Sequence, residues 1–405
     1  MPIEPPTHFS KHAKRIVDKC IILYDLLVST TRKKANNYTS KMASVVRHVL
    51  VPCMIVLLGL SWVANGVDFQ RGPPPCPCSD PALCDPIRTT PKKEIHVFSA
   101  NGANWRDYFW DNITTVAVQD GFDPQMMCHA HSKGVRIVVW GSFSVQTLFN
   151  ESARNAWVER TLNYAVGNFT DGYNIDFEMP LLKSQAHVLT ALVKQIRDAF
   201  KKALPYSKVT FDSAFSPDCT FFGRCFDYRS IGEIVDYILI MAYDELDLVG
   251  LKAMANAPLN ITTQGVDDFI KAGVPPAKLV LANPWYGYNF PCTLLTKNDT
   301  CNYKLGTWKQ QGYGTIMELL ANNSTTGRKW SEEYQSPYFD YKDSETGQTH
   351  QIWYDDPTSL TLRFKMAKNK QLYGVSVFQA DCLDYSTNQK AVIETNAMWD
   401  AFLGE

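Results

Sequence analysis

The sequence predicts an α/β fold, a (β/α)8 TIM barrel with an inserted α+β subdomain between its seventh and eighth strands. Three observations predict it. Eight short apolar segments alternate with helical or loop segments over about 310 residues, the rhythm of a closed parallel barrel. The interval between the last two is much longer than the others and carries its own hairpin pattern. The fourth segment gathers acidic residues on one face at its carboxyl end, where barrel enzymes place their chemistry. A doubly wound sheet is the alternative, but it would not need eight strands so evenly spaced.

Taken in order, Ile95–Phe98 is a first strand, Thr114–Val118 a second and Arg136–Gly141 a third. Each is short and apolar, as strands buried on both faces must be. The fourth is the acidic segment Asp171–Glu178. Lys208–Asp212, Tyr237–Tyr243, Leu279–Trp285 and Gly374–Gln379 complete the eight. Helical periodicity falls at Ala153–Val166, Gln185–Ala203, Val266–Lys271 and Ala391–Leu403. Between strands seven and eight, Pro337–Tyr341, a Glu-Thr-Gly turn and Gln351–Tyr354 spell a hairpin within an insertion of about residues 288–356.

The barrel is assigned to residues 93–405 and a Cys- and Pro-rich lead-in to residues 67–92. Residues 1–66 are an N-terminal extension plus a signal peptide. The apolar run Val49–Ala64 is too short for a comfortable membrane span and ends in Ala64-Asn65-Gly66, a small-x-small cleavage pattern before Val67. A signal anchor is the alternative. Met42 opens an ordinary signal peptide by itself, which makes Met1–Lys41 an upstream extension. Seven Asn-x-Ser/Thr sequons follow the run, at Asn112, Asn150, Asn168, Asn260, Asn298, Asn322 and Asn323. Nine of the 11 cysteines follow it as well. Close spacing suggests Cys219–Cys225 and Cys292–Cys301 as disulfides, with one N-terminal pair among Cys76, Cys78 and Cys84 or to Cys128 and one thiol left over. The route is therefore secretory.

A formal net charge of −1 gives no basic footprint, so nucleic acid is excluded as a partner. There is no nucleophile elbow, no phosphate-cradling glycine loop and no dinucleotide fingerprint, and no cofactor is expected. In Cys128-His129-Ala130-His131 only the first and last residues share a helix face, and no second pair lies near, so no metal is expected. Lys92-Lys93 and Lys201-Lys202 are expected to be solvated charges.

The fourth strand carries the chemistry. Tyr173, Ile175 and Phe177 alternate with Asn174, Asp176 and Glu178, so the polar set shares one face at steps of about 6.6 Å and the apolar set faces the covering helices. Crowding two carboxylates raises the pKa of one of them, which a general acid near neutral or mildly acidic pH requires. Asp171 has the wrong parity and reads as a strand-entry residue beside the Gly172 bend. On the sixth strand Met241 and Tyr243 share a face, which lets the phenol point into the barrel mouth.

The segment Asp171-Gly-Tyr-Asn-Ile-Asp-Phe-Glu178 resembles the Asp-Gly-x-Asp-x-Asp-x-Glu signature of family 18 glycoside hydrolases, the chitinase family. Met241-Ala-Tyr243-Asp244 is similar to the family's Met-x-Tyr-Asp motif. Asn174 stands where most members have the middle Asp, a departure shared by the lysosomal members that cleave chitobiose. The resemblance covers roughly Cys76 to the C-terminus. It implies a retaining, substrate-assisted hydrolysis of β-1,4 links between N-acetylglucosamine units, with the chitobiose core of degraded Asn-linked glycans as substrate. It makes Glu178 the acid–base, Asp176 the residue that orients the acetamide, and Tyr243 the donor to the acetamide carbonyl. Asn174, Met241, Asp244, Phe378 and Gln379 would line the sugar site, with Phe378 where the family usually places a flooring Trp; Trp285 and Tyr286, by their position at the end of the seventh strand, are expected as its walls. Its partners would be N-acetylglucosamine oligosaccharides, and it would act as a monomer in the lysosome with no stable membrane association after processing. A chitinase or an endo-β-N-acetylglucosaminidase of the same family is the alternative. A chitinase-like lectin would typically lack the acid, and Glu178 is present.

Overall fold

The structure, a computed structural model, describes residues 75–404. The extension, the signal segment and its cleavage point lie outside the described residues. The barrel opens with β1 (Glu94–Ser99), β2 (Thr115–Val118) and β3 (Arg136–Gly141), followed by β4 (Gly172–Ile175), β5 (Lys208–Ala214), β6 (Tyr237–Met241) and β7 (Leu279–Pro284). The chain then leaves the barrel for β8 (Tyr286–Leu295), β9 (Cys301–Tyr303), β10 (Lys309–Gly312), β11 (Lys329–Ser331), β12 (Ser336–Lys342) and β13 (Thr349–Trp353), and returns as β14 (Gly374–Phe378). The first seven strands and β14 form a closed barrel, and β14 pairs in parallel with both β1 and β7. The six inserted strands make a separate antiparallel sheet, with β12 and β13 as its hairpin. The expected fold and insertion are therefore present.

Helices cover the outside: α1 (Pro124–Ser132), α2 (Val145–Phe149), α3 (Glu151–Gly167), α4 (Ala186–Ala203), α5 (Tyr228–Ile234), α6 (Leu259–Lys271), α7 (Tyr313–Asn322) in the insertion, α8 (Pro357–Asn369) and α9 (Gln389–Leu403). The chain between β1 and β2 has only a 3-10 turn at Trp105–Asp107. α4 shows why these segments are helical. Leu189, Leu192, Val193, Ile196 and Phe200 recur at three- and four-residue spacing and are all buried, while Lys201 and Lys202 sit in the last turn, where the helix dipole favours cations. Lys201 is not the solvated charge expected of it. Its ammonium lies 3.1 Å from Asp236 beneath the barrel, where the chain turns from α4 into β5.

The inner and outer faces of the strands divide the core. Phe98, Val138, Tyr237, Leu239 and Val280 pack against one another in one cluster. Ile175, Val209, Phe211, Ile238 and Ile240 pack in another with Leu189, Ile196 and Phe200 of α4. This parity governs the site. On β6, Tyr237 and Leu239 lie in the first cluster, and alternation carries Met241 and Tyr243 to the same side. On β4, Tyr173 and Ile175 lie against the helices, followed by Phe177, which leaves Asn174, Asp176 and Glu178 for the interior.

Regular β4 ends at Ile175, short of Glu178, although the Asp176 amide still donates to the Gly141 carbonyl at 3.0 Å. Gly172 at its start has φ +154, and a Cβ there would lie 1.8 Å from the Lys208 carbonyl oxygen, so only glycine fits. Asp171, read as a strand-entry residue, is buried. Its carboxylate accepts from the Ile87 and Ile137 amides, each at 2.9 Å, and pairs with His131 Nε2 at 2.9 Å. His131 Nδ1 lies 2.7 Å from the Leu83 carbonyl oxygen.

Cys219–Cys225 and Cys292–Cys301 are bridged as the spacing suggested. The lead-in carries two bridges where one was expected, Cys76–Cys84 and Cys78–Cys128, and Cys382 is the free thiol among the described residues. Among the described residues no helix is long and apolar enough to cross a membrane.

Candidate active site

The site is built at the carboxyl end of β4. Asp176 is mostly buried, and one of its oxygens, Oδ1, is buried without a hydrogen-bond partner. Burial, and next the Glu178 charge, push its pKa from 3.8 up to about 7, against a smaller opposing effect of Arg224. Glu178 stands at the open end, with about 48% of its side chain exposed, and Arg224 pairs with its carboxylate. Arg224 Nε also donates to the Glu178 carbonyl at 3.0 Å, so one guanidinium holds both the backbone and the side chain of that residue. Arg224 belongs to the loop closed by the Cys219–Cys225 bridge. Of the two crowded carboxylates only Asp176 is enclosed.

The perturbed Asp176 makes stability depend on pH. The folded chain holds the proton more tightly than the unfolded chain, so this group's contribution is complete below pH 3.8 and is lost as pH rises through about 7. Asp176→Asn mimics the neutral acid at every pH. Its melting temperature should match the parent's at pH 3.8 and exceed it above pH 7, by about 2–4 °C for each kcal/mol of relieved penalty. Calorimetry across that range checks this; a constant difference between the two proteins would contradict it.

Tyr243 is buried with its ring 5.7 Å from Phe378 in a stacked arrangement. Phe378 is half-buried and also meets Phe98 at 5.4 Å and Trp140 at 6.4 Å, which makes an aromatic floor across the barrel from Glu178. Trp140, on β3, was not singled out in the sequence, although its place at a strand end could have drawn attention to it. Its indole nitrogen is buried without a partner. Met241 is half-buried beside Tyr243. Asp244 is exposed and accepts hydrogen bonds from the Tyr286 and Tyr288 hydroxyls at 2.5 and 2.6 Å. Gln379 accepts from the Ala100 amide at 3.0 Å, which ties β14 to the loop after β1.

Three expected sugar contacts lie elsewhere or act indirectly. Trp285 is fully buried in the outer core, with its ring 4.9 Å from Trp399, and cannot wall the site. Pro284 pairs with Phe378, so the next residue along the strand turns outward. Tyr286 is 2% exposed and serves the mouth from behind, holding Asp244 with its hydroxyl and packing its ring edge-on against Tyr243 and Phe378. Asn174 is fully enclosed, and its amide donates to Thr210 Oγ1 and Asp212 Oδ1, each at 2.8 Å, so it touches side chains and not a sugar. Asp212, on β5, is a buried carboxylate that the sequence reading passed over.

A closed parallel barrel with two carboxylates at the mouth of its fourth strand and aromatic rings facing them defines a barrel glycosidase. Residues 101–382 match the family model for glycosyl hydrolases family 18, and the chain belongs to that family. It is 39% identical over 340 residues to di-N-acetylchitobiase of Mus musculus, covering 80% of this chain and 92% of that protein. Against di-N-acetylchitobiase of Homo sapiens it is 38% identical over 339 residues, covering 80% and 87%. Among solved structures it is similar to a family 18 N-acetylglucosaminidase from Paenibacillus barengoltzii, with TM-score 0.63 and 17% identity over 77% of this chain and 99% of that one. A chitinase from Chromobacterium violaceum gives TM-score 0.62 and 16% identity over 77% and 98%. These two likenesses bear on the fold.

Proposed function

We infer that this glycosidase hydrolyses the β-1,4 link between the two N-acetylglucosamine units of chitobiose, the core left when Asn-linked glycans are degraded. The observation that carries the reading is Glu178 at the barrel mouth beside Asp176 and Tyr243, in a chain 39% identical to a protein named di-N-acetylchitobiase. Glu178 protonates the glycosidic oxygen. The acetamide oxygen of the substrate attacks the anomeric carbon and closes an oxazolinium-like ring, and the leaving sugar departs. Asp176 accepts from the acetamide N–H and stabilises its positive charge, while the Tyr243 hydroxyl donates to the acetamide oxygen and aligns it. Glu178 then takes a proton from water, which opens the ring with overall retention. Phe378 and Trp140 supply the apolar face on which the sugar rests.

Processing through the secretory pathway to the lysosome agrees with four disulfides among the described residues. Six sequon asparagines are exposed, and Asn168 is half-buried as the cap of α3.

Product analysis over time tests the reading, using free chitobiose, longer chito-oligomers and a glycan with a reducing-end chitobiose. Release of one N-acetylglucosamine from chitobiose and from the glycan core is expected. Internal cutting of long oligomers with chitobiose left intact would make the enzyme a chitinase. Binding without any cleavage would make it a lectin.

A further inference from the structure

Asp212 is a carboxylate that the mechanism above does not use. It lies in β5, is 3% exposed, and receives one hydrogen bond, from the neutral Asn174 amide at 2.8 Å. A carboxylate enclosed in this way costs free energy unless something offsets the loss of solvent. The register shows what it faces. Asn174 pairs with Thr210 and Ile175 with Phe211, the last pairs of the β4–β5 ladder; one residue beyond them come Asp176 and Asp212, and the Asp176 charge is felt at Asp212. Neighbouring strands are about 4.8 Å apart, and two enclosed carboxylates at that spacing do not both ionise. Asp176 Oδ1 and Asn174 Oδ1 are both buried with no partner, which leaves acceptor sites around the pair for a bound proton.

We propose that Asp212 is a positioning residue that shares one proton with Asp176, supplying from β5 the carboxylate that Asn174 does not supply from β4. This rests on the role given to Asp176 under the proposed function. When Asp212 holds the proton, Asp176 is anionic and faces the acetamide. When Asp176 holds it, Asp212 keeps its charge on the Asn174 amide. The proton stays within the pair through turnover and is neither consumed nor released. The groups that face Asp212 agree with this. Asp176 and Glu178 approach from the β4 side, and both charges raise the Asp212 pKa in addition to burial, which is the larger cause, while the Asn174 bond lowers it. Tyr243, beyond the end of β6, feels the Asp212 charge after burial itself. Arg224 acts on Asp176 from the loop after β5.

The test is Asp212→Asn, which keeps shape and removes the shared carboxylate. Turnover should fall on the order of 10²-fold, as misplacement of a reacting group does. The acid limb of the kcat–pH profile should move to lower pH, because Asp176 would no longer ionise beside a second carboxylate. Asn174→Asp combined with Asp212→Asn returns a carboxylate to the neighbourhood of Asp176 and should recover both turnover and the limb. Unchanged turnover in Asp212→Asn overturns the proposal. So does a loss with an unmoved limb and no recovery in the double variant, since a purely structural role would give that result. If Asp212→Asn does not fold, Asp212→Ser, which also removes the carboxylate, is read instead. A displaced limb with KM retained supports the proposal, and an unmoved limb overturns it. Glu178→Gln separates the two levels. If it is inactive while Asp212→Asn behaves as the parent, only the sharing fails; if it turns over normally, the underlying mechanism fails.

Discussion

Glu178→Gln is expected to lose turnover by about 10²–10⁴-fold or more, with sugar binding retained. Glutamine keeps the size of the side chain and can still receive the Arg224 guanidinium through its oxygen, but it has no proton to give the glycosidic oxygen. The loss should therefore appear in kcat with little change in KM, the pattern of an interaction made only in the transition state. Steady-state kinetics on chitobiose, with calorimetric binding of an N-acetylglucosamine oligomer, checks both halves. Near-parent hydrolysis would remove Glu178 from the acid–base role.

An effect of comparable size is expected from the substrate side. Replacing the N-acetyl group beside the cleaved bond with a hydroxyl removes the internal nucleophile and should abolish hydrolysis, while a thiazoline analogue of the cyclised intermediate should inhibit. The competing scheme makes Asp176 a covalent nucleophile, which an ordinary retaining pair of carboxyls about 5–5.5 Å apart would permit. The raised pKa of Asp176 weighs equally on both schemes, since each needs its anion, and the substrate-side variants separate them. Comparable turnover of the matched glucoside, or a trapped glycosyl ester on Asp176, would overturn substrate assistance.

The parity of single strands was legible in the sequence. Alternation on β4 and β6 placed Tyr173, Ile175 and Phe177 outward and Asp176, Glu178 and Tyr243 inward without reference to any partner strand. Phase across strands was not. Trp285 was read as a wall because it follows β7, but the inward position belongs to Pro284, and only the pairing with Phe378 reveals this. Asp212 was passed over for the same reason. In the run Thr-Phe-Asp-Ser-Ala it is an ordinary polar residue near a strand end, and its importance comes from a neighbour on β4. Arg224 reaches Glu178 from 46 residues away, through a loop whose path the Cys219–Cys225 bridge constrains, and no local pattern announces such a contact. Disulfides with short separations were readable; Cys78–Cys128, with a separation of 50, was one of several open choices.

The carboxylate of Asp171 has a consequence for how this barrel could be excised or grafted. It ties the amide of Ile87, the imidazole of His131 and the amide of Ile137 together immediately before the strand that carries the acid. A shortened chain beginning at β1 would remove Ile87 and the Leu83 carbonyl that faces the other imidazole nitrogen, and would leave Cys128 without Cys78. Buried donors and acceptors would then be left open beneath the catalytic strand. The transplantable unit therefore begins upstream of Cys76, and after a protease nick between the lead-in and the first strand the Cys78–Cys128 bridge would still hold the lead-in against the barrel.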